Sequence, residues 1–273
     1  MKRLAATCLF LSINAQAAQA VAPVPEQPII VTAPGGAADK DDAVELDAAK
    51  LALASGPDVL RAVSTQVAGM SLSDAQGNRH QPSLMYRGYS ASALQGHAQG
   101  LAVFLDGGRF NAPFGDTVNF DLLPDVAVER VSVRDSNPVY GLNGLGGAVV
   151  VATHTGRSSP GQSALLALGD HGQRKANMTL GYDQGTFSLF MAGQAERERG
   201  WRAFSPSTLY HGFADMGWDG AQAGVHIKAL AADTDLAGNG ASPVELLAAN
   251  RAAVFTHPDR DRKSTRLNSS HLV

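Results

Sequence analysis

Cysteine is almost absent from this sequence. The 273-residue chain has one, Cys8, and it lies in an N-terminal segment expected to be removed. A mature chain without thiols can hold neither a disulfide nor a thiolate metal site. Charge is sparse as well. Charged residues make up 17% of the chain and its net charge is −3. Without residues 1–20 and 261–273, 17 basic residues stand against 24 acidic ones, a balance of −7 that argues against nucleic acid as a partner. After residue 20 no apolar run is long enough for a transmembrane helix. Catalytic motifs are missing too. The glycines Gly141, Gly144, Gly146 and Gly147 lack the Gly-Lys-Ser/Thr of a phosphate loop and the spacing of a dinucleotide fingerprint. There is no His-Glu-x-x-His and no Gly-x-Ser-x-Gly. His80, His97, His154 and His171 are scattered over predicted loops and strand ends, and they read as solvated residues rather than ligands. No catalytic residue, resident metal or cofactor is expected.

The two ends are distinctive. Lys2 and Arg3 precede an apolar run over residues 4–13, and small residues follow to Ala20. This is the layout of a secretory signal peptide over 1–20. At the other end, residues 261–273 open with a stretch that reads like the translation of a sequencing adapter, so they are set aside from fold reasoning as an expected artefact. The natural coding sequence is then expected to continue differently beyond about residue 260.

Residues 21–42 are rich in Pro, Ala, Gly and Asp and are expected to be extended or flexible. Within them Ile29, Ile30, Val31, Thr32 and Ala33 stand between Pro28 and Pro34. Such a β-branched segment can add itself to the edge of a partner's sheet. Packing as a strand on its own domain is the other reading.

Residues 43–155 predict a small α+β domain. A helix is expected from Ser55 as N-cap to about Ser64, burying Val59, Leu60 and Val63. Strands are expected over 83–86, 101–105, 127–133 and 148–153. The glycine-rich turn from Tyr140 to Gly147 lets the last of these fold tightly onto its predecessor. From residue 156 to about 260 the pattern changes to period-2 alternation. Ala176, Met178, Leu180 and Tyr182 alternate with polar residues, and further alternating runs follow over 187–196, 210–218 and 222–229. Phe190 is the exception. Tight turns at 183–185 and 219–220 alternate with long loops at 197–206 and 233–253. Short turns at one end and long loops at the other predict a transmembrane β-barrel. A soluble antiparallel sandwich with one wet face is the alternative. Ser242, Pro243 and Glu245 predict a capped helix in the second long loop.

The order of these parts resembles the N-terminal region of a TonB-dependent outer-membrane receptor. Residues 29–33 look like the TonB box. Arg87-Gly88-Tyr89, Asp106-Gly107, Glu129-Arg130-Val131, Tyr140-Gly141 and Gly146-Gly147 are similar to ordered motifs of the family's plug domain. One departure is Arg134-Asp135-Ser136-Asn137-Pro138, where an Arg-Gly-Pro turn is usual.

The resemblance implies an α+β plug followed by the first antiparallel strands of a barrel of about 22 strands. It implies outer-membrane lipid and TonB as partners, and uptake of a scarce large nutrient such as a ferric siderophore-like chelate or cobalamin. It implies that Arg87 and Arg134 meet the barrel wall. It also implies ligand contacts at the plug apices Asn78, Arg79, His80, Gln95, His97, Phe110, Asn111 and Phe114. A passive outer-membrane or secreted adhesin is the alternative function. A chain of this length, with open strand edges, is expected to be a non-functional fragment.

Overall fold

A computed structural model describes residues 8–13, 43–53, 58–74, 77–220, 223–240, 242–255, 259–264 and 271–272. The proposed box at residues 29–33 and the proposed cap Ser55 lie outside them. In chain order the elements are β1 (Cys8–Ile13), β2 (Ala43–Asp47), α1 (Ala48–Leu53), α2 (Val59–Gln66), β3 (Met70–Ser73), β4 (Ser83–Tyr86), β5 (Tyr89–Ala91), β6 (Ala102–Leu105), β7 (Gly108–Arg109), β8 (Val128–Arg134) and β9 (Ala148–Thr153). There follow β10 (Gly161–Leu168), β11 (Arg174–Asp183), β12 (Phe187–Glu198), β13 (Ser207–Asp219), β14 (Gly224–Gly238), α3 (Val244–Ala249), β15 (Asp259–Ser264) and β16 (His271–Leu272).

Two small sheets and two helices make the α+β unit. One sheet has the order β2-β8-β9-β6-β7 and the other β3-β4-β5. The β6–β9 pair is parallel and the other pairings are antiparallel. The apolar residues of β8 and β9 make the centre of one core. Val131, Val133, Val149 and Val151 pack there with Val59, Leu60 and Val63 of α2. The helix is capped three residues later than expected. Asp58 fills that role, its carboxylate accepting from the Arg61 N–H.

Two short motifs prove to be hairpin turns. Arg87 and Gly88 both have positive φ, as do Asp106 and Gly107. Each pair closes a two-residue loop, between β4 and β5 and between β6 and β7. Type I′ turns require this conformation, and an X-Gly sequence supplies it. The glycine-rich turn before β9 is tight for a second reason. Gly147 has φ +121°, and a Cβ there would lie 2.2 Å from the Arg134 carbonyl oxygen.

The other sheet is long-stranded and antiparallel from β10 through β14. Its polarity is inverted. Met178, Leu180, Tyr182, Met191, Tyr210, Met216 and Trp218 are exposed, while Lys175, Gln194, Glu196, His211, Asp215 and Thr234 are buried. A water-soluble sandwich buries the apolar face instead. A wall between lipid and a filled lumen shows the pattern seen here. The buried face meets the α+β unit. Phe190 breaks the alternation because it joins Ala192, Phe213 and Leu230 in an apolar island against Ala127 and Val126 of that unit. Gly156 lies where the chain passes into the sheet, and a Cβ there would meet the Tyr182 and Leu189 backbone.

Several expectations need correction. The sheet has an additional strand, β10, whose sequence Gly161-Gln-Ser-Ala-Leu-Leu-Ala-Leu does not alternate. Strand β14 runs on to Gly238, so the second long loop starts later than expected. Helix α3 has no side-chain cap, because it starts at Val244 and Pro243, which has no polar side chain, stands at the N-cap. The Ser242 hydroxyl, one residue earlier, accepts from Arg202 Nη2. The outer edge of β14 is covered in two halves. Residues 226–230 pair with β1, from the expected leader, and residues 233–238 pair with β15, which includes residues set aside as an artefact. An open edge pairs with whatever extended backbone reaches it.

Gly147→Ala adds a backbone collision to an unfavourable φ and is expected to cost about 2–3 kcal/mol. Gly107→Ala, with open space around its Cβ position, should cost only about 1 kcal/mol of backbone strain. Urea denaturation of residues 42–155 measures both, and equal losses would contradict the packing argument.

Candidate site at the junction of the two units

The buried face of the long sheet carries ionisable groups, and the α+β unit supplies their partners. Three layers of contact run along the strands. Strand alternation puts Glu196 and Glu198 on one face, near the end of β12 that leads into a long loop. The segment between β3 and β4 reaches them. Asn78 Nδ2 donates to Ser207 Oγ at 3.0 Å and to the Ala237 carbonyl at 3.0 Å. Its own Oδ1 accepts from the His80 N–H at 2.9 Å. This local turn aims the next two side chains at the wall. Arg79 lies 3.6 Å from Glu196 Oε1 and 3.5 Å from Glu198 Oε2. His80 Nε2 lies 3.2 Å from Glu198 Oε1. Lys175 Nζ stands 3.4 Å from Glu196 Oε2 and 3.9 Å from Asp125 Oδ2.

The middle layer centres on Asp121. Its Oδ2 accepts from Thr234 Oγ1 at 3.0 Å, and its carbonyl oxygen lies 2.8 Å from His211 Nε2. The third layer lies toward the short-turn end of β13 and β14. Lys228 Nζ is 3.0 Å from Asp106 Oδ1 and 3.7 Å from Asp215 Oδ2, and it donates to Thr153 Oγ1 at 3.0 Å. Thr153 donates from N and Oγ1 to the two Asp106 oxygens. His226 Nδ1 is 3.2 Å from Asp215 Oδ1. The I′ turn at Asp106 therefore places a carboxylate where it holds β9 and the wall lysine together.

The expected site residues separate into groups. Asn78, Arg79 and His80, expected at a ligand-facing apex, are engaged with the wall. Asn111 is buried and structural, accepting from the Val103 N–H and donating to the Leu101 carbonyl. Phe110 packs on the core. Gln95, His97 and Phe114 are exposed, Phe114 at 91%. Their loops lie at the opposite end of β6 and β9 from Asp106 and Thr153.

Arg87, expected to meet the wall, pairs with Asp135 at 2.9 Å inside its own unit and lies over the Tyr86 ring. The Tyr86 hydroxyl donates to the same carboxylate. Burial, aided by Asp135, raises the Tyr86 phenol above its ordinary pKa. The Nε of Arg134 is buried without a hydrogen-bond partner among the described residues. Wall residues Lys175, Glu196, Asp215 and Lys228 were visible in the sequence as the polar half of alternating strands. Nothing in one sequence pairs them across to Arg79, Asp125 or Asp106.

Two spaces flank the first layer. A space of about 30 Å³ is lined by Arg79, His80, Asp121, Asp125, Glu196 and His211, among others. A pocket of about 260 Å³ opens beside Asp74, Arg79, His171, Glu198 and Trp201. Burial, and next the Asp58 charge, push the Asp125 carboxyl up to about 7, against the opposing pull of Lys175.

Residues 42–148 match the TonB-dependent Receptor Plug Domain family. No curated protein matches the sequence. Solved structures of similar fold include the closed form of the ferric-catecholate import receptor Fiu from E. coli. It has a TM-score of 0.59 and 15% identity, covering 74% of this chain and 27% of that one. BauA, the ferric preacinetobactin receptor from Acinetobacter baumannii, gives 0.52 and 15%, covering 71% and 28%. The copper transporter OprC gives 0.55 and 14%, covering 73% and 31%. At these identities the likeness is one of fold. The chain spans roughly a quarter to a third of the length of these proteins.

A carboxyl with a raised folded-state pKa favours folding below its unfolded pKa of about 4. That contribution fades as pH rises through about 7. Asp125→Asn should therefore gain stability relative to wild type as pH rises from 4 to 8. Urea midpoints of both proteins at the two pH values measure this, and a constant difference would contradict it.

Proposed function

We propose that the chain, whose residues 42–148 match the TonB-dependent receptor plug domain, carries that plug and the first antiparallel strands of its receptor's wall, and that it serves energised uptake across an outer membrane. The cargo class is a scarce, large nutrient, such as a ferric siderophore-like chelate or cobalamin. The observation that carries this reading is the inverted sheet, with its charged inner face engaged by a folded domain. A passive wall could be filled by neutral side chains. A domain held by ionic contacts fills the lumen firmly, and it moves only when work is done on it.

Energy enters in this reading through residues 29–33. Ile29, Ile30, Val31 and Thr32 are all β-branched, which favours an extended pairing segment. TonB pairs with it as an added strand, and a pull along the chain reaches β2 ten residues later. The first element to feel it is paired with β8, the strand whose partner β9 ends at Thr153 in the third layer. The exposed Gln95, His97 and Phe114 are the residues proposed to meet the ligand. Arg79 and His80 hold the plug.

Ile30→Pro removes an N–H and fixes φ in the pairing segment. In a receptor containing this region, uptake is expected to fall to background while surface binding of the ligand persists. Radiolabelled uptake and binding on whole cells measure the two separately. Unchanged uptake would remove residues 29–33 from the mechanism.

A further inference from the structure

The first contact layer has the makings of a metal site. His80, Glu196 and Glu198 bring one ligand atom each to within 4.8 Å of one another. His80 Nε2 lies 3.2 Å from Glu198 Oε1 and 3.9 Å from Glu196 Oε1. Bonds of about 2.0–2.1 Å to a tetrahedral ion would set such atoms about 3.4 Å apart. The His80 side chain is 9% exposed. Its Nε2 is buried and makes no hydrogen bond among the described residues. The ring nitrogen is thus close to two carboxylates without directing an N–H at either, as a ligand nitrogen would be.

The surroundings fit the same use. Gln173 Nε2 donates to Glu196 Oε1 at 3.0 Å, and Lys175 holds the other oxygen, Oε2. Outer partners of this kind orient a ligating carboxylate. The neighbouring space of about 30 Å³, bordered by His80 and Glu196, has room for one water, which a site with three protein ligands takes in its fourth position. Arg79 is the competitor. Its contacts with the two glutamates are long, at 3.5 and 3.6 Å, and its side chain is 31% exposed. It also borders the pocket of about 260 Å³, into which its guanidinium can withdraw.

We propose that His80, Glu196 and Glu198 bind a divalent cation of the zinc class, which clamps the plug to the wall. One nitrogen and two carboxylate oxygens suit zinc better than calcium or magnesium, which favour all-oxygen sites. His80 comes from the segment between β3 and β4 and the glutamates come from β12, so the ion ties together two units that share no continuous element. The site stands on these side chains alone and does not depend on the uptake reading.

The test is equilibrium dialysis of the full chain in detergent micelles against Zn²⁺, with thermal unfolding in parallel. One ion per chain is expected at micromolar Zn²⁺, together with a rise in unfolding temperature. His80→Ala should weaken binding at least tenfold and abolish the rise. Arg79→Ala, which removes the competing cation, should tighten binding. That gain cannot come from a misfolded protein, so it tests the site even if the His80 variant folds poorly. Absence of stoichiometric binding, binding unchanged in His80→Ala, or weaker binding in Arg79→Ala would each overturn the proposal.

Discussion

The structure depends on a sheet whose polar side is buried and whose apolar side is bare. Once β11 to β14 turn Met178, Leu180, Met191 and Trp218 outward, Lys175, Glu196, Asp215 and Thr234 must face inward. Buried charges without partners cost several kcal/mol each, so the inner face needs another body carrying matching groups. The plug is that body. Its Arg79, His80, Asp106, Asp121 and Asp125 are placed at three heights along the wall. Phe190 and Phe213 supply the apolar contact between those heights.

This arrangement gives the junction a mechanical character. Asp215 is fully buried and depends on Lys228 and His226. Lys228 in turn bridges to Asp106 and Thr153 of the plug. Breaking a buried pair by withdrawing one partner costs about 3–5 kcal/mol. Several contacts of this kind hold the α+β unit against the inner face of the sheet.

Much of the fold could be read from the residues. The alternation of Ala176, Met178, Leu180 and Tyr182 marked the strand and its two faces, and the fold decided which of them lies outward. Strand β9 fell where its valine run predicted it, whereas Arg87-Gly88 and Asp106-Gly107 were read only as strand ends, so the short return strands β5 and β7 were missed. Strand β10 was missed because Leu165 and Leu166 are adjacent and break the period. The capping box at Ser242 failed because the helix starts one residue late, with Pro243 at the N-cap. The junction was the least legible part. Lys175 and Glu196 could be seen as inward residues. Their partners lie on loops whose approach is set by tertiary packing, and His80 looked like a solvated loop residue until the fold brought β12 against it.

The central claim is that the apolar face of the long sheet meets hydrocarbon while its charged face meets the plug. Trp218 lies on the apolar face at 64% exposure, and Trp201 is in a loop. The chain has only these two tryptophans, so Trp201→Phe leaves a single reporter on the face in question. Its fluorescence, measured in micelles of a brominated detergent against the unbrominated form and against aqueous iodide, tests the claim most directly. Strong quenching by bromine with little by iodide is expected. Strong iodide quenching with no bromine effect, in a protein that keeps its β-sheet circular dichroism, would place that face in water and contradict the account.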